Sequence, residues 1–466
     1  MIPPLIALLA WIPISLCFFW RYPPRVAILL NFVGGWAVLP SADFVPSSAS
    51  FPYWILGTCL PSNYFITKAS VTGIACLIGI LLFDRRSLSR LRWSIWDLPM
   101  LVWCTVPLLS GVVNAQGLGP SLRSELYQVL AWGSPYVAGR IYFPDTDSLR
   151  LAAKAFVISG LAYVPICLVE MLTGPQLYAH LYGYEPYRWI GAERYFGFRP
   201  IGLLEDGNQL GIWMATSALI AVWLWKREQI KGVFGIPIAW VSGILLVVTL
   251  LCQSGGSILL LIGFLAFLFL RQHHVMRALA AFVLLGILAL TTLRLANVVS
   301  VRSIVKHSGV ARAGAQFLKR IGRGSFGWRL SQDEKYIGTA LERPILGSGE
   351  WNWWQGNSSR PWGLSLLAFG MYGIVGLLAL EGVQLAPMVR AAWFPLERSD
   401  PHGLRYALAA VVLMSAIDDL LNGSMILPLL LFAGGLSDRT AAFVDGKKAF
   451  PAWTTSSKPN TEALES

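Results

Sequence analysis

The chain carries little charge, since only 13% of its 466 residues are Asp, Glu, Lys or Arg. Soluble domains have roughly 25% charged residues, so this composition argues against an ordinary water-soluble protein. Hydrophobic residues make up 55% of the chain and form apolar stretches along nearly its whole length. Because these stretches are continuous and close to the roughly 20 residues that cross a bilayer, they predict membrane-spanning helices rather than barrel strands.

Cysteines and familiar catalytic motifs are also scarce. The six cysteines are spread singly, without a Cys-x-x-Cys pair, which argues against a disulfide framework and a cysteine metal site. The sequence has no P-loop, no nucleophile elbow and no His-Glu-x-x-His motif. No His, Asp or Glu spacing is typical of a transition-metal site, so we expect no metal and no other cofactor.

What the sequence does have is a regular series of apolar spans. They predict an all-α, polytopic membrane protein with about 12–13 transmembrane helices. The predicted spans are 2–20, 25–41, 64–83, 97–114, 123–142, 150–172, 208–225, 234–252, 256–270, 277–294, 362–385, 404–420 and 423–437. We divide the chain into N-terminal transmembrane helices (1–294, with an outer loop at 173–207), a large periplasmic loop (295–361), C-terminal transmembrane helices (362–437) and a disordered cytoplasmic tail (438–466).

Basic residues in the short loops set the expected orientation. The segment from Asp84 to Arg92 contains four arginines, and every other basic short loop falls on the same side of the predicted bundle. By the positive-inside rule this side is the cytoplasm, so the N-terminus and the large loop lie outside. The net charge of +12 fits contact with acidic lipid headgroups better than contact with nucleic acid.

The segment from Arg302 to Arg360 is the one long polar stretch between apolar spans. It has ten Lys/Arg and four Asp/Glu, a net charge of 10 − 4 = +6. A basic domain on one face of the bundle indicates an anionic partner. The pattern predicts a helix over Trp328–Glu342, which Pro344 ends. Three tryptophans follow, at Trp351, Trp353 and Trp354. They suit either a membrane interface or a surface on which sugar rings stack.

A cluster of polar residues stands where the outer loop re-enters the membrane. Its members are Arg194, Arg199, Glu205, Asp206 and Asn208. Guanidinium groups clamp phosphate oxygens through paired N–H donors, and a charged group at a span end can face a cavity shielded from lipid. The alternative is that these side chains extend to the membrane interface and have no further role.

Two further groups are candidates. The large loop contributes Arg329, Glu342, Arg343 and Glu350. These residues either help to hold a polyanion or form ordinary ion pairs along a helix. The acidic pair Asp418–Asp419 lies near the outer end of a span. Such a pair can bind a metal, act as a base or pair with a loop arginine, and we expect the arginine partner.

Three stretches resemble, in the expected order, motifs of the bacterial O-antigen polymerase and O-antigen ligase superfamily. Arg199-Pro-Ile-Gly-Leu-Leu-Glu-Asp-Gly-Asn208 resembles an R-x-x-G followed by a P-N or G-N that opens a span. Gln253-Ser-Gly-Gly-Ser257 resembles a Ser-rich turn between spans, without its usual arginine. Arg329 through Gly349 resembles a loop helix that opens with an arginine and ends in P-x-L-G-x-G, although Asp333 replaces the usual aromatic residue.

A fourth motif of this superfamily is incomplete. The superfamily has His-Asn and then, after a short spacer, G-x-x-G at the start of the span that follows the large loop. Gly373-Ile-Val-Gly376 is present here, but Trp362-Gly363 occupies the position of His-Asn. The histidine proposed to assist the acceptor in ligases is therefore absent. Its absence argues against a ligase and favours a divergent exopolysaccharide polymerase.

The resemblance implies a metal-independent, GT-C-like membrane glycosyltransferase. Its donor would be a growing glycan on undecaprenyl pyrophosphate, and its acceptor a sugar hydroxyl on another lipid-linked repeat unit. Arg199 and Arg329 match arginines of the superfamily and are the predicted diphosphate clamp, because catalysis then depends on charge neutralisation and positioning. The candidate bases for the acceptor hydroxyl are Glu205, Asp206 and Glu350. The expected substrate-binding residues are Arg194, Asn208, Arg343, Arg360, Trp351, Trp353, Trp354 and Trp362.

The same resemblance predicts the bacterial inner membrane, with the active site on the periplasmic side. Membrane lipid, chain-length regulators and export proteins are further expected partners. Three alternatives stay open. One is a ligase that moves lipid-linked glycan to lipid A core or protein, and another is a structural subunit of a secretion complex. The third is a flippase or other transporter of lipid-linked glycan, which should show internal repeats and charged residues deep within several spans.

Overall fold

The computed structural model describes most of the chain. The described residues are 1–42, 59–184, 193–270, 273–295, 325–354, 360–393, 403–420 and 422–437, with 307–309, 312, 313, 316 and 400. Much of the predicted large loop between 296 and 324, and the predicted tail from 438 onward, lie outside these residues. The described part is helical over most of its length, which confirms the all-α prediction at that level.

The N-terminal part of the described chain is a series of helices. They are α1 (Pro4–Arg21), α2 (Pro24–Val38), α3 (Lys68–Phe83), α4 (Leu98–Val113), α5 (Leu118–Gln128), α6 (Ser134–Tyr142), α7 (Thr146–Thr173) and α8 (Leu177–Tyr182). A π-helical turn at Leu30–Gly34 lies within α2, and another at Val129–Gly133 joins α5 to α6. The join lets 118–142 continue as one helical segment.

The remaining elements begin with a hairpin. They are β1 (Glu193–Arg194), β2 (Gly197–Phe198), α9 (Gly207–Lys226), β3 (Gly232–Val233), β4 (Ile236–Pro237), α10 (Ile238–Leu251), α11 (Gly255–Leu268), α12 (His273–Leu295), α13 (Ser325–Asp333), α14 (Ile337–Leu341), α15 (Leu364–Trp393), α16 (Leu404–Asp419) and α17 (Leu430–Leu436). Both strand pairs are antiparallel two-residue hairpins. The sequence pattern predicts neither hairpin, because two residues are too few to show an alternating pattern.

Five of the described helices are long and apolar enough to cross a membrane. They are Pro4–Arg21, Ile95–Val113, Thr146–Thr173, Val275–Leu293 and Leu364–Trp393. Shorter apolar helices lie at Pro24–Val38, Lys68–Phe83, Ile238–Leu251, Gly255–Leu268 and Leu427–Leu436. These helices agree with a helical membrane protein, while the count of 12–13 spans stays a prediction.

Two predicted helices differ from the structure. The single helix expected over Trp328–Glu342 is instead α13 and α14, separated by turns that begin at Gln332 and Asp333. The span expected over 423–437 contains only a 3₁₀ turn and the short helix α17. Pro428 lies in that turn, and its missing N–H suits the start of a helix rather than its interior.

The centre of the molecule is formed by α9, α15, α16 and α17, whose residues are buried nearly all round. Helix α17 packs on α6 at small residues. A β-carbon on Gly139 would clash with the Leu431 carbonyl, and one on Gly434 would clash with the Tyr136 carbonyl. This packing brings the backbones close, as is common between membrane helices.

Contacts between the loops define two groups, one at each end of the helices. One end, which we call the basic end, joins Arg25 to Asp145 at 3.0 Å and Arg140 to Asp97 at 3.0 Å. Arg150 also bonds Gln229 there, at 3.0 Å. The other end, which we call the site end, joins the loops that hold the candidate site residues. The basic short loops and the predicted site are therefore at opposite ends of the helices.

Candidate functional site

Arg199 lies at the N-terminus of α9. Its Nη2 donates hydrogen bonds to Asn208 Oδ1 at 2.7 Å and to Ser254 Oγ at 3.2 Å. Its side chain lies against Gly207, where a β-carbon would clash with the guanidinium. The structure thus brings together the arginine and the asparagine of the first motif, and it adds the serine turn of the second motif.

Asp206 caps α9. Its Oδ1 accepts hydrogen bonds from the backbone N–H groups of Asn208 at 2.8 Å and Gln209 at 2.7 Å. An aspartate at this position satisfies free N–H groups of the first turn and lies at the positive end of the helix. Its Oδ2 has a weakly placed contact with the Asn208 amide nitrogen at 3.4 Å. Asn208 Oδ1 accepts the hydrogen bond from Arg199, so Asn208 contacts both Asp206 and Arg199.

Glu205 is fully buried in an ion pair that the sequence does not predict. Its carboxylate pairs with the equally buried Lys68 and accepts a hydrogen bond from Ser41 Oγ at 2.5 Å. The Lys68 ammonium lies 4.1 Å from the Trp36 ring centroid. Because this carboxylate is enclosed and paired, its position does not favour the general-base role expected for it. It links the start of α9 to α2 and α3 instead.

Glu170, near the end of α7, is a site residue that the sequence analysis does not predict. It is 2% exposed, and its two carboxylate oxygens accept three backbone hydrogen bonds. The donors are the N–H groups of Leu177 at 3.2 Å, Ile201 at 2.9 Å and Gly202 at 2.7 Å. Two of these donors lie two and three residues after Arg199 in the chain, so Glu170 fixes the backbone next to the residue that carries the guanidinium.

Arg329 lies in a second polar cluster, on α13. Its guanidinium donates to Asn422 Oδ1 and lies 5.2 Å from the Trp362 ring centroid. Arg360 lies over the same ring at 4.0 Å, and Trp328 meets it edge-on at 5.3 Å. Trp362 therefore has two guanidinium groups near its ring, an arrangement favoured by cation–π attraction.

Asp333 explains how the Trp362 segment is held. Its Oδ1 accepts the backbone N–H of Trp362 at 2.5 Å, and its Oδ2 accepts that of Gly363 at 3.3 Å. A β-carbon on Gly363 would stand 2.6 Å from the Leu420 carbonyl oxygen. Asp333 thus positions both Trp362 and Gly363.

Asp418 connects the two arginine clusters. Its main-chain carbonyl accepts a hydrogen bond from Asn422 Nδ2 at 3.3 Å. Its carboxylate interacts electrostatically with Arg329, Arg199 and Asp206. Since such interactions fall off with distance, both arginines lie near one carboxylate. Asp418 is thus near both arginines, while the direct arginine pairing expected for the acidic pair stays a prediction. Its neighbour Asp419 points elsewhere and accepts a 2.7 Å hydrogen bond from Gln384.

The P-x-L-G-x-G and G-x-x-G motifs meet at a break in α15. Gly373 has φ 62° and ψ −159°, so the helix is interrupted there. Around this break the Ser348 N–H donates to the Gly370 carbonyl at 3.0 Å, and the Ile374 N–H donates to the Pro344 carbonyl at 2.8 Å. The loop segment 344–349 therefore bonds backbone groups that the broken helix leaves free. Backbone groups away from water need such partners within the protein.

Side chains from α4 and the turn after it hold the same segment from the other side. Ser110 Oγ donates to the Leu346 carbonyl at 2.5 Å, and Asn114 Nδ2 donates to the Gly347 carbonyl at 2.9 Å. Gln116 Nε2 donates to the Ser348 carbonyl at 2.8 Å. The C-terminal part of the large loop is thus fixed to the bundle by hydrogen bonds on both sides.

The predicted tryptophan surface is used largely for packing. Trp354 is buried, and Trp353 packs on Gly370 and donates Nε1 to the Leu367 carbonyl at 3.3 Å. Trp351 is half-buried and donates to Asn63 Oδ1 at 3.1 Å. Trp351 and Trp353 are both half-buried, so these two rings leave some surface for a sugar.

Three other predicted residues make contacts elsewhere at the site end. Arg343 donates to Asn114 Oδ1 at 2.6 Å from an exposed position, and the exposed Glu350 bonds Ser348 through its backbone. Arg194 lies on β1, opposite Gly197.

Cysteine chemistry is not part of this site. Each of the six cysteines is a free thiol. Burial raises the pKa of the Cys59 thiol to about 12, and its sulfur accepts the Met425 N–H at 3.1 Å. A thiol with so high a pKa stays protonated at neutral pH and is a poor nucleophile.

Among the residues that the structure describes, no three His, Cys, Asp or Glu side chains are grouped so that they could hold a metal ion. The polar groups instead form two arginine clusters with Asp418 between them. Comparison with protein-family models, curated proteins and solved structures found no match for this chain.

Proposed function

We propose that the protein is a membrane glycosyltransferase of O-antigen polymerase type, which joins oligosaccharide repeat units carried on undecaprenyl pyrophosphate. The observation that carries this proposal is that Arg199 and Arg329, each held by an asparagine, both lie near Asp418. Two fixed guanidinium groups near one point suit a diphosphate, whose oxygens accept their N–H donors. Asp418 and Asn422 orient these groups before the substrate binds.

The proposed reaction is a displacement at the anomeric carbon of the donor glycan. The acceptor hydroxyl oxygen forms the new C–O bond, and the bond from that carbon to the diphosphate breaks. The diphosphate leaves with its electron pair and is stabilised by Arg199 and Arg329. The hydroxyl proton passes to Asp206, whose Oδ2 has a weak 3.4 Å contact with Asn208, the asparagine that also bonds Arg199.

The proposed setting is the bacterial inner membrane with the site end in the periplasm. The support is the separation of charge, because the arginines of the short loops gather at the opposite, basic end. Basic short loops stay in the cytoplasm under the positive-inside rule. The partners in this setting are lipid-linked donor and acceptor glycans, with chain-length regulators and export proteins downstream.

Arginine variants test the proposal. We expect Arg199→Ala and Arg329→Ala each to reduce chain extension at least about a hundredfold, the usual loss for one charge-stabilising donor. The measurement is the ladder of products that the purified protein makes from lipid-linked repeat units. Arg86→Ala, at an exposed arginine of the basic end, is the matched control and should extend chains normally. Full activity in both site variants would overturn the proposed mechanism.

A ligase is the nearest alternative, and the acceptor decides between the two enzymes. A polymerase lengthens lipid-linked repeat units when they are the only acceptor present. A ligase transfers the glycan only when lipid A core or an acceptor protein is added. Trp362-Gly363, held by Asp333, stands where the ligase histidine would be, and this favours the polymerase.

Two observations favour a second candidate, a transporter of lipid-linked glycan. Helix α15 is interrupted at Gly373, and Glu381 and Asp419 are buried with one carboxylate oxygen each lacking a hydrogen bond. Broken helices and buried acidic residues are typical of transport proteins. Movement of a fluorescent lipid-linked glycan across liposomes, without new glycosidic bonds, would support the transporter and contradict the enzyme.

A further inference from the structure

The hairpin of β1 and β2 presents two aromatic side chains at the site end. Its turn consists of Tyr195 and Phe196, which are 72% and 70% exposed. Exposure of large apolar side chains to water at a loop tip is energetically unfavourable. The hairpin ends at Phe198, and the next residue in the chain is Arg199. The exposed aromatic residues are therefore only three and four positions before Arg199, a member of the predicted diphosphate clamp.

The hairpin is held firmly at both sides. The Gln253 side chain accepts the Phe196 N–H at 3.3 Å and donates to the Phe196 carbonyl at 3.2 Å. Ser254, the next residue, bonds Arg199 at 3.2 Å. Gly197 has φ 78°, and a β-carbon there would clash with the Met171 carbonyl at the end of α7. These contacts fix the distance between the aromatic tip and the guanidinium.

The surface beside the hairpin is apolar and exposed. On α7, Val169 and Leu172 are 58% and 75% exposed, and on α10, Val247 and Leu250 are 55% and 52% exposed. Helix α7 is one of the five candidate membrane spans, so these side chains suit contact with hydrocarbon. The aromatic tip continues this apolar surface up to the polar residues of the site.

We propose that the tip formed by Tyr195 and Phe196 binds the hydrocarbon chain of the diphosphate lipid carrier and guides its headgroup to Arg199. This inference rests on the proposed function only for the identity of the carrier. A lipid with a charged diphosphate and a long isoprenoid chain needs a cationic group next to an apolar surface. The hairpin supplies both within six residues, Arg194 to Arg199.

Binding measurements on the purified protein in detergent test the inference without requiring transfer. The two probes are undecaprenyl diphosphate and a short, water-soluble prenyl diphosphate. We expect the double variant Tyr195→Ser, Phe196→Ser to weaken binding of the long probe at least about tenfold. Burial of even one aromatic side chain changes an affinity by about that factor. The same variant should bind the short probe as the wild type does.

The second hairpin offers a matched control. It also has two-residue strands, and its tip residue Phe234 is 78% exposed, but it follows Lys226 and Arg227 at the basic end. Phe234→Ser should change neither affinity. The inference is overturned if the double variant keeps the wild-type preference for the long probe, or if it weakens both probes equally. If binding behaves as expected while the wild type extends no chain, the proposed function fails and the carrier site stands.

Discussion

At the scale of single residues, the site depends on carboxylates that hold other groups in place. Glu170 accepts backbone donors on both sides of the outer loop, Glu205 binds Lys68, and Asp333 binds the Trp362 segment. Buried carboxylates are stable only when paired or hydrogen-bonded, so each must keep its partners. The sequence shows these residues as isolated charges, because their partners are distant in the chain or belong to the backbone.

Glu170→Ala should reduce chain extension without removing the protein from the membrane. The variant leaves the Ile201 and Gly202 N–H groups buried without their acceptor, which costs about 1–3 kcal/mol for each group. Arg199 then loses its fixed position, and the rate should fall about tenfold or more. The measurements are the extension rate and the melting temperature. Glu170→Gln, which keeps one acceptor oxygen, should restore part of the rate, whereas a rate equal in both variants would refute the positioning role.

Lys68 and Glu205 should behave as a coupled pair. Lys68→Met leaves a buried carboxylate without a counterion, and we expect a loss of about 3–5 kcal/mol in stability. The double variant Lys68→Met, Glu205→Gln removes both charges and should recover much of that loss. Thermal unfolding of the two single variants and the double variant measures the coupling. Additive effects would show that the pair does not act as a unit.

At the scale of elements, the main finding is that two motifs far apart in the sequence form one unit. The loop segment 344–349 pairs with α15 where the helix breaks at Gly373. The positive φ of Gly373 and the backbone of Ile345 leave no room for a side chain. The glycines were visible in the sequence, but only the pairing of the two segments explains why glycine is needed at each position.

Gly373→Ala should therefore destabilise the protein strongly. A β-carbon there would clash with the Ile345 backbone and would also strain a backbone at φ 62°. We expect a loss of more than about 3 kcal/mol, seen as a lower yield of folded protein and a lower melting temperature. Gly286→Ala on α12 has open space around it and should change little. Equal stability of the two variants would contradict the account of the break.

At the scale of the whole molecule, the arrangement separates two kinds of polar surface. Arginines of the short loops lie at the basic end, while Arg199, Arg329 and the large-loop segments lie at the site end. The helices between them carry the apolar surface that a bilayer requires. This separation predicts that the two ends face different compartments.

Labelling of single cysteines tests that orientation. In a background with Cys17→Ser, we expect Glu350→Cys to react with a membrane-impermeant maleimide in intact spheroplasts, because Glu350 is exposed at the site end. Arg86→Cys, exposed at the basic end, should react only after the membrane is opened. The reverse pattern would place the site in the cytoplasm and would exclude a periplasmic polymerase.

Hydrophobic composition and the spacing of the apolar stretches were enough to predict a helical membrane protein, because the length and polarity of a helix that crosses lipid are set locally. Motif residues such as Arg199, Asn208 and Gly373 could likewise be identified from the sequence. Tertiary structure alone decided that Arg199 and Arg329 both lie near Asp418, that Glu205 is enclosed with Lys68, and that the large-loop segment pairs with α15 at its break. Those outcomes depend on contacts between distant parts of the chain, and such contacts leave no periodic pattern in the sequence.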